Sequence, residues 1–304
     1  MIRRAYLRHA DARQTHYRRA GTGEPLILLH PSPLSSSWME PVMGALQGRV
    51  DTIAPDTPGY GASDPPPGHA ANPGGNEGQS GSADDLTPYT KWLHEFILTL
   101  GFRQVGLYGS ATGAQIAIEF ARAYPEATRF VVLDNVAHFT AEEREGMLAR
   151  YFPDLSPRAD GRHLQTTWAM VSGLWQWFPW YRQDDEHRLA AAPDVNSAET
   201  LQRMLVDHLG AGPDYARAYR AAMRNEDASR VQGIAVPARI IRWKGSLLRR
   251  YADRLDDFDW PEHIRMVPCG PGTEERLNAI RSAVNELNDA QTGIVRPVTD
   301  SLRR

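Results

Sequence analysis

The chain has 304 residues, 41 % of them hydrophobic and 9 % aromatic, which suits one large α/β domain with an insertion or two small domains. A net charge of −3 gives no reason to expect nucleic acid or an anionic membrane surface as partner. A single cysteine, Cys269, excludes an internal disulfide framework and makes a cytoplasmic protein the simplest expectation.

The first residues, MIRRAYLRHADARQTHYRRA, are basic and lack the apolar stretch of a signal peptide. No apolar run reaches the ~18 residues of a membrane span, and no CxxC or HExxH spacing predicts a metal site. Residues 2–7 and 13–19 predict an N-terminal hairpin. PLILLH (25–30) is a near-continuous apolar run, as expected of a strand buried on both faces. VDTIAP (50–55), QVGLYG (104–109), RFVVLD (129–134), PARIIRW (237–243) and HIRMVP (263–268) predict further strands.

Helical periodicity lies between them. Tyr89, Trp92, Leu93, Phe96, Ile97 and Leu100 share one face, with Thr87 as the predicted N-cap and Gly101 at the end. Leu277, Ile280, Val284 and Leu287 repeat the pattern near the C-terminus. Strands alternating with helices predict an α/β fold with a mostly parallel sheet.

Two segments break the rhythm. Residues 65–82 are rich in Pro, Gly, Asn and Ser and predict a flexible loop; a polar tail is predicted over 290–304. Residues 136–230 read as helical and carry Trp168, Trp175, Trp177 and Trp180. They predict a cap inserted into a core made of 1–135 and 231–304. Trp168 and Trp175 are seven apart, which places them on one helix face. As packing residues they would fill the cap's own core; with Trp177 they would also form an aromatic ceiling over a hydrophobic ligand.

The stretch LYGSATGAQIAIEFA (107–121) has the strand, sharp turn and helix that present a nucleophile in a G-x-S-x-G motif, but alanine, Ala111, stands at its centre. Together with GTGEPLILLHPSP (21–33) and DTPGYGASDPP (56–66), it gives the chain a resemblance to the α/β-hydrolase fold over nearly its whole length. The resemblance implies a twisted, mostly parallel sheet flanked by helices, with a helical cap. It implies oxyanion donors at the backbone of Thr112 and Ser32, with Ser110 beside the elbow.

The residues depart from the rest of the family's pattern. Ala111 can neither attack nor hold a proton. IIRWKGSLLRR (240–250) lacks the family's acid, and VPCGPGTEER (267–276) lacks its histidine. Glu274 and Glu275 read as first-turn acids that favour a helix N-terminus. The remaining candidates for proton transfer are Asp134, which is either a functional carboxylate or a strand-end hydrogen-bond acceptor, His138 at the start of the cap, and His30 in the oxyanion loop. Two functions stay open. One is an enzyme acting without cofactor or Ser-His-Asp triad on a small hydrophobic, carbonyl-containing or aromatic substrate. The other is a pseudoenzyme that binds a small hydrophobic ligand or a protein partner. A homodimer is one possible assembly.

Overall fold

The alternation of apolar residues in the predicted strands is what lets a single sheet carry two cores. The computed structural model describes residues 1–66, 85–189 and 197–292. The predicted loop from position 67 onward and the tail beyond 292 lie outside the described residues. Eight strands form one sheet in the order β1-β2-β4-β3-β5-β6-β7-β8. They are β1 (Arg3–Arg8), β2 (Gln14–Ala20), β3 (Pro25–Leu29), β4 (Asp51–Pro55), β5 (Val105–Ser110), β6 (Thr128–Asp134), β7 (Ala238–Trp243) and β8 (Ile264–Cys269). β2 pairs antiparallel with β1 and β4, and the remaining pairings are parallel.

The helices are α1 (Glu40–Ala45), α2 (Thr87–Thr99), α3 (Thr112–Ala123), α4 (Ala141–Arg150), α5 (Arg162–Gly173), α6 (Ala198–Gly210), α7 (Arg217–Asn225), α8 (Ala228–Gln232), α9 (Arg249–Ala252) and α10 (Thr273–Thr292). Among the described residues none is long and apolar enough to cross a membrane. Because strand side chains alternate, Ile27, Leu29, Leu107, Val131 and Leu133 pack on one face against α2 and α3. Leu26, Leu28, Tyr108, Phe130 and Val132 pack on the other against α1 and α10.

Thr87 is not the N-cap of α2. It is the first helical residue, and its amide and hydroxyl both donate to Asp85 Oδ1, at 3.0 and 2.9 Å. Pro88, next in the helix, has no N–H to offer a cap, so the acceptor upstream serves Thr87 instead.

α4 to α8 lie between β6 and β7, where the cap was expected. α4 opens on a reciprocal capping box of Thr140 and Glu143. Inside, Phe139, Met147, Leu148, Tyr151, Val171 and Phe178 form a separate apolar cluster, which Leu34 and Leu248 of the core join. α6 is tied down by Trp38 Nε1, which donates to Asp207 at 2.6 Å, and by Arg203 stacked 4.5 Å over the same indole. α7 is tied to α3 by Asn225 Nδ2, which donates to Gln115 Oε1 at 2.9 Å.

At the end of β5 the chain turns sharply into α3 through Ala111, at φ 50° and ψ −115°. The turn needs glycine on both sides. A Cβ on Gly109 would sit 2.3 Å from the Gly113 carbonyl oxygen, and one on Gly113 would sit 2.2 Å from that of Leu29. Gly113→Ala should therefore cost more than about 2 kcal/mol in a urea titration. Ala111→Gly, which relieves the positive φ, should raise stability by about 1 kcal/mol.

Candidate active site

The elbow is fixed by backbone contacts. The Ala111 amide donates to Asp134 O at 3.0 Å, and its carbonyl accepts from Gln115 N at 3.1 Å. Thr112 is the first residue of α3, so its amide has no acceptor within the helix. The loop after β3 faces it. Asp56 holds that loop, accepting the Ser36 amide at 2.6 Å, the Ala62 amide at 2.9 Å and His16 Nδ1 at 2.8 Å. Burial alone would raise the Asp56 pKa, but the His16 contact, the His30 ring and these amides together hold it well below the carboxylate range. The D-x-P-G-x-G segment is thus the foundation of the loop after β3. Gly61 is needed there because a Cβ would meet the Asp56 carboxylate at 2.2 Å.

A cavity of about 220 Å³ opens above the elbow. Ser32, Ser110, Ala111 and Thr112 border it from the core, and Trp175 borders it from the cap. Trp168 and Trp177 do not. α5 ends at Gly173, so the face shared by residues seven apart is broken before Trp175. Trp168 is left 43 % exposed and Trp177 pairs with Arg188, while Leu174 and Phe178 join the ceiling. Most of the remaining wall is apolar, with Met204, Met223 and Leu248 among its residues.

The sequence profile of the alpha/beta hydrolase family matches residues 26–275. The chain belongs to that family. Among curated relatives, haloalkane dehalogenase 2 of Mycobacterium tuberculosis is 28 % identical over 127 residues, 42 % of this chain and 40 % of that protein. The 2-(acetamidomethylene)succinate hydrolase of Mesorhizobium japonicum is 31 % identical over 135 residues, 44 % of this chain and 43 % of its own. The chain therefore spans about two fifths of the length of these curated relatives. Two solved structures share the fold. An epoxide hydrolase from Vigna radiata has a TM-score of 0.64 at 17 % identity, covering 96 % of this chain and 99 % of its own. A bromoperoxidase from Bacillus anthracis has a TM-score of 0.65 at 18 % identity, covering 96 % and 100 %.

In this alpha/beta hydrolase Asp134 is fully buried at the end of β6 and does not border the cavity. Its Oδ2 accepts from Tyr108 at 2.8 Å and from Arg276, at 2.7 Å from Nε and 2.6 Å from Nη2. Arg276 rises from the first turn of α10, in the stretch where the family resemblance puts a histidine. Its guanidinium lies 4.6 Å over the Trp243 ring and borders the cavity. Burial works against its charge, but Asp134 outweighs that and raises its pKa. Arg276 carries no signal in the sequence, because the residue type that the family resemblance implies in that stretch is an imidazole. Glu275 is the first-turn acid expected, accepting from the Gly272 amide at 2.9 Å.

Ser110 is held in a chain of side-chain bonds. Asn135 Nδ2 donates to its hydroxyl at 3.0 Å, and Ser246 donates to Asn135 Oδ1 at 2.6 Å. His30 has no ring nitrogen to spare, since Nδ1 donates to Pro31 O at 2.8 Å and Nε2 accepts from Thr57 N at 2.9 Å. His138 accepts from Ala228 N at 3.2 Å, packs on Phe258 and does not border the cavity. The two histidines are engaged because each lies where a loop must satisfy its own amides and carbonyls, whereas Ser110, the last residue of β5, is engaged by the Asn135 side chain.

Besides Arg276 and the Tyr219 phenol, a carboxyl and an imidazole border the cavity. Glu226, at the end of α7, is buried, and its Oε2 accepts the Ala137 amide at 2.9 Å. Burial pushes its pKa up to about 8. His208 on α6 is 1 % exposed, and its Nδ1 donates to Met204 O at 2.7 Å. Its Nε2 has no partner among the described residues, and burial pushes the ring down to about 4. Neither was legible in sequence: Glu226 lies in the surface-like run RNEDASR, and His208 in an ordinary helix end.

These shifts have opposite linkage. Glu226, raised from 4.5, contributes stability below about pH 4.5 that is lost as pH rises to about 8. His208, lowered from 6.5, contributes above about 6.5 what is lost as pH falls to about 4. Glu226→Gln should therefore remove a decline in stability, on the order of 1.4 kcal/mol per pH unit, visible between about pH 6.5 and 8 in urea midpoints. Arg276→Ala, which strands the Asp134 carboxylate, should cost about 3–5 kcal/mol in the same assay.

Proposed function

We propose that the protein is a cytoplasmic enzyme that moves protons on a small hydrophobic carbonyl compound, using neither a Ser-His-Asp triad nor a cofactor. One observation carries the reading: Glu226 and His208 border the same apolar cavity, and burial drives their pKa values apart, to about 8 and about 4. At neutral pH the carboxyl holds a proton and the imidazole offers a lone pair at Nε2. Pairs pushed apart in this way divide the roles of acid and base. The Met204 carbonyl holds the required tautomer by accepting from Nδ1. An apolar cavity of about 150 Å³ holds benzene. The cavity here, about 220 Å³, suits one ring with a short side chain.

In this chemistry His208 takes the proton from the carbon beside the carbonyl. The C–H pair becomes a C=C bond and the carbonyl π pair moves to oxygen. The amides of Thr112 and Ser32 stabilise that oxyanion, a single such donor being worth on the order of 3 kcal/mol. Glu226 returns a proton to the carbon skeleton, giving an isomer, and exchange with water resets both groups. Ala111 supplies a methyl floor. The names of the relatives, a dehalogenase and a hydrolase, support an enzyme in general terms.

A pseudoenzyme that binds without turnover is the second reading, favoured by Ala111 itself: the strained elbow is kept with no nucleophile on it. A panel of small aromatic and aliphatic ketones and oxo acids, followed by loss of substrate deuterium, separates the two. The enzyme reading expects a bell-shaped kcat profile with limbs near about pH 4 and about 8. Glu226→Gln and His208→Phe should each lower kcat by about 10²–10⁴ while circular dichroism stays native. Ligands that bind but never exchange carry the second reading instead.

A further inference from the structure

We propose, building on the acid–base reading above, that the molecule handled here is a small hydrophobic carboxylic acid: Arg276 and the hydroxyls of Ser32 and Thr112 hold its carboxylate. All three residues border the cavity from the core side. Arg276 spends the Nε–Nη2 edge of its fork on Asp134 Oδ2, and Trp243 beneath it fixes the plane. The guanidinium, which also lies beside the Tyr108 hydroxyl, reaches the cavity wall. Ser32 Oγ and Thr112 Oγ1 are buried and make no hydrogen bond to a described residue. Buried hydroxyls rarely stay unpaired. Two such hydroxyls, on residues that border the same cavity as a buried guanidinium, are donors that a bound acceptor would satisfy.

A carboxylate suits that set. Its two oxygens carry about four acceptor positions, and it binds guanidinium in a fixed geometry. Thr112 also opens a helix of 12 residues, whose positive end favours an anion. Competing negative charge is removed from the cavity in two ways. Asp134 is withdrawn behind Arg276 and Tyr108, and Glu226 is uncharged at neutral pH. An amide or ester of the same shape offers one good acceptor oxygen and leaves donors stranded. The apolar walls select a hydrophobic body, and the Thr112 amide is left for the carbonyl of the reacting group. The substrate class is then a small hydrophobic oxo acid.

The test compares sodium phenylacetate with phenylacetamide by isothermal titration at neutral pH. The wild-type protein should bind the carboxylate at least about tenfold more tightly. The paired variant Asp134→Asn with Arg276→Gln, which leaves no lone buried charge, should lose the preference. Ser32→Ala with Thr112→Val leaves the ion pair intact and should cut it at least about threefold, so the test stands even if the first pair fails to fold. Glu226→Gln, disabled in proton transfer, should keep it. No binding of phenylacetate, equal binding of the amide, or a preference that survives both paired variants overturns the proposal. Failure of the acid–base reading would look different: a full carboxylate preference with no deuterium exchange from any oxo acid.

Discussion

At the end of β5 the backbone passes through Ala111 at φ 50°, with Gly109 pressed against Gly113 and Gly113 against the β3 backbone, so that neither flanking glycine has room for a side chain. That turn fixes where α3 begins, and so where its unpaired amides point. It also sets the height of the cavity floor. The loop after β3 can face it only because Asp56 gathers Ser36, Ala62 and His16 around one buried carboxylate. The cap then closes over a floor already built. An alanine at the turn leaves this backbone geometry in place and removes the side chain that would react.

Closing the cap sets the electrostatics. The same burial that makes the cavity apolar raises a carboxyl and lowers an imidazole, so Glu226 and His208 take up opposite protonation states with no direct contact required between them. The cap therefore brings more than shape. Its helix α6 is held to the core through Asp207 and Trp38, and α7 through Asn225 and Gln115. Each of these tethers lies within one residue of a titratable group at the cavity, which makes the position of that group depend on how the cap is docked.

Asp134 and Arg276 show how a buried charge shapes its surroundings. Asp134 concentrates three donors on one oxygen. It fixes Arg276 against Trp243 and turns a flexible side chain into a rigid part of the cavity wall. A pair of this kind adds little net stability over an apolar replacement, but breaking it is expensive. Its contribution here is position.

Strand and helix placement was legible from the chain. Buried parallel strands need continuous apolar runs and amphipathic helices need a 3.6-residue period, so PLILL and the Tyr89-to-Leu100 face declare themselves locally. The elbow was legible too, because only glycine fits beside so tight a turn. What the sequence by itself determined is thus the scaffold, together with the alanine at its centre. The tertiary structure alone decided the rest. It drew Arg276 to Asp134 across 142 positions, buried Glu226 out of a charged run, and ended α5 before Trp175 could share a face with Trp168. The reason is physical. A backbone conformation is set by its nearest neighbours along the chain, whereas burial, and every pKa and partner that follows from it, is set by residues far away in sequence that the folded cap and core bring together.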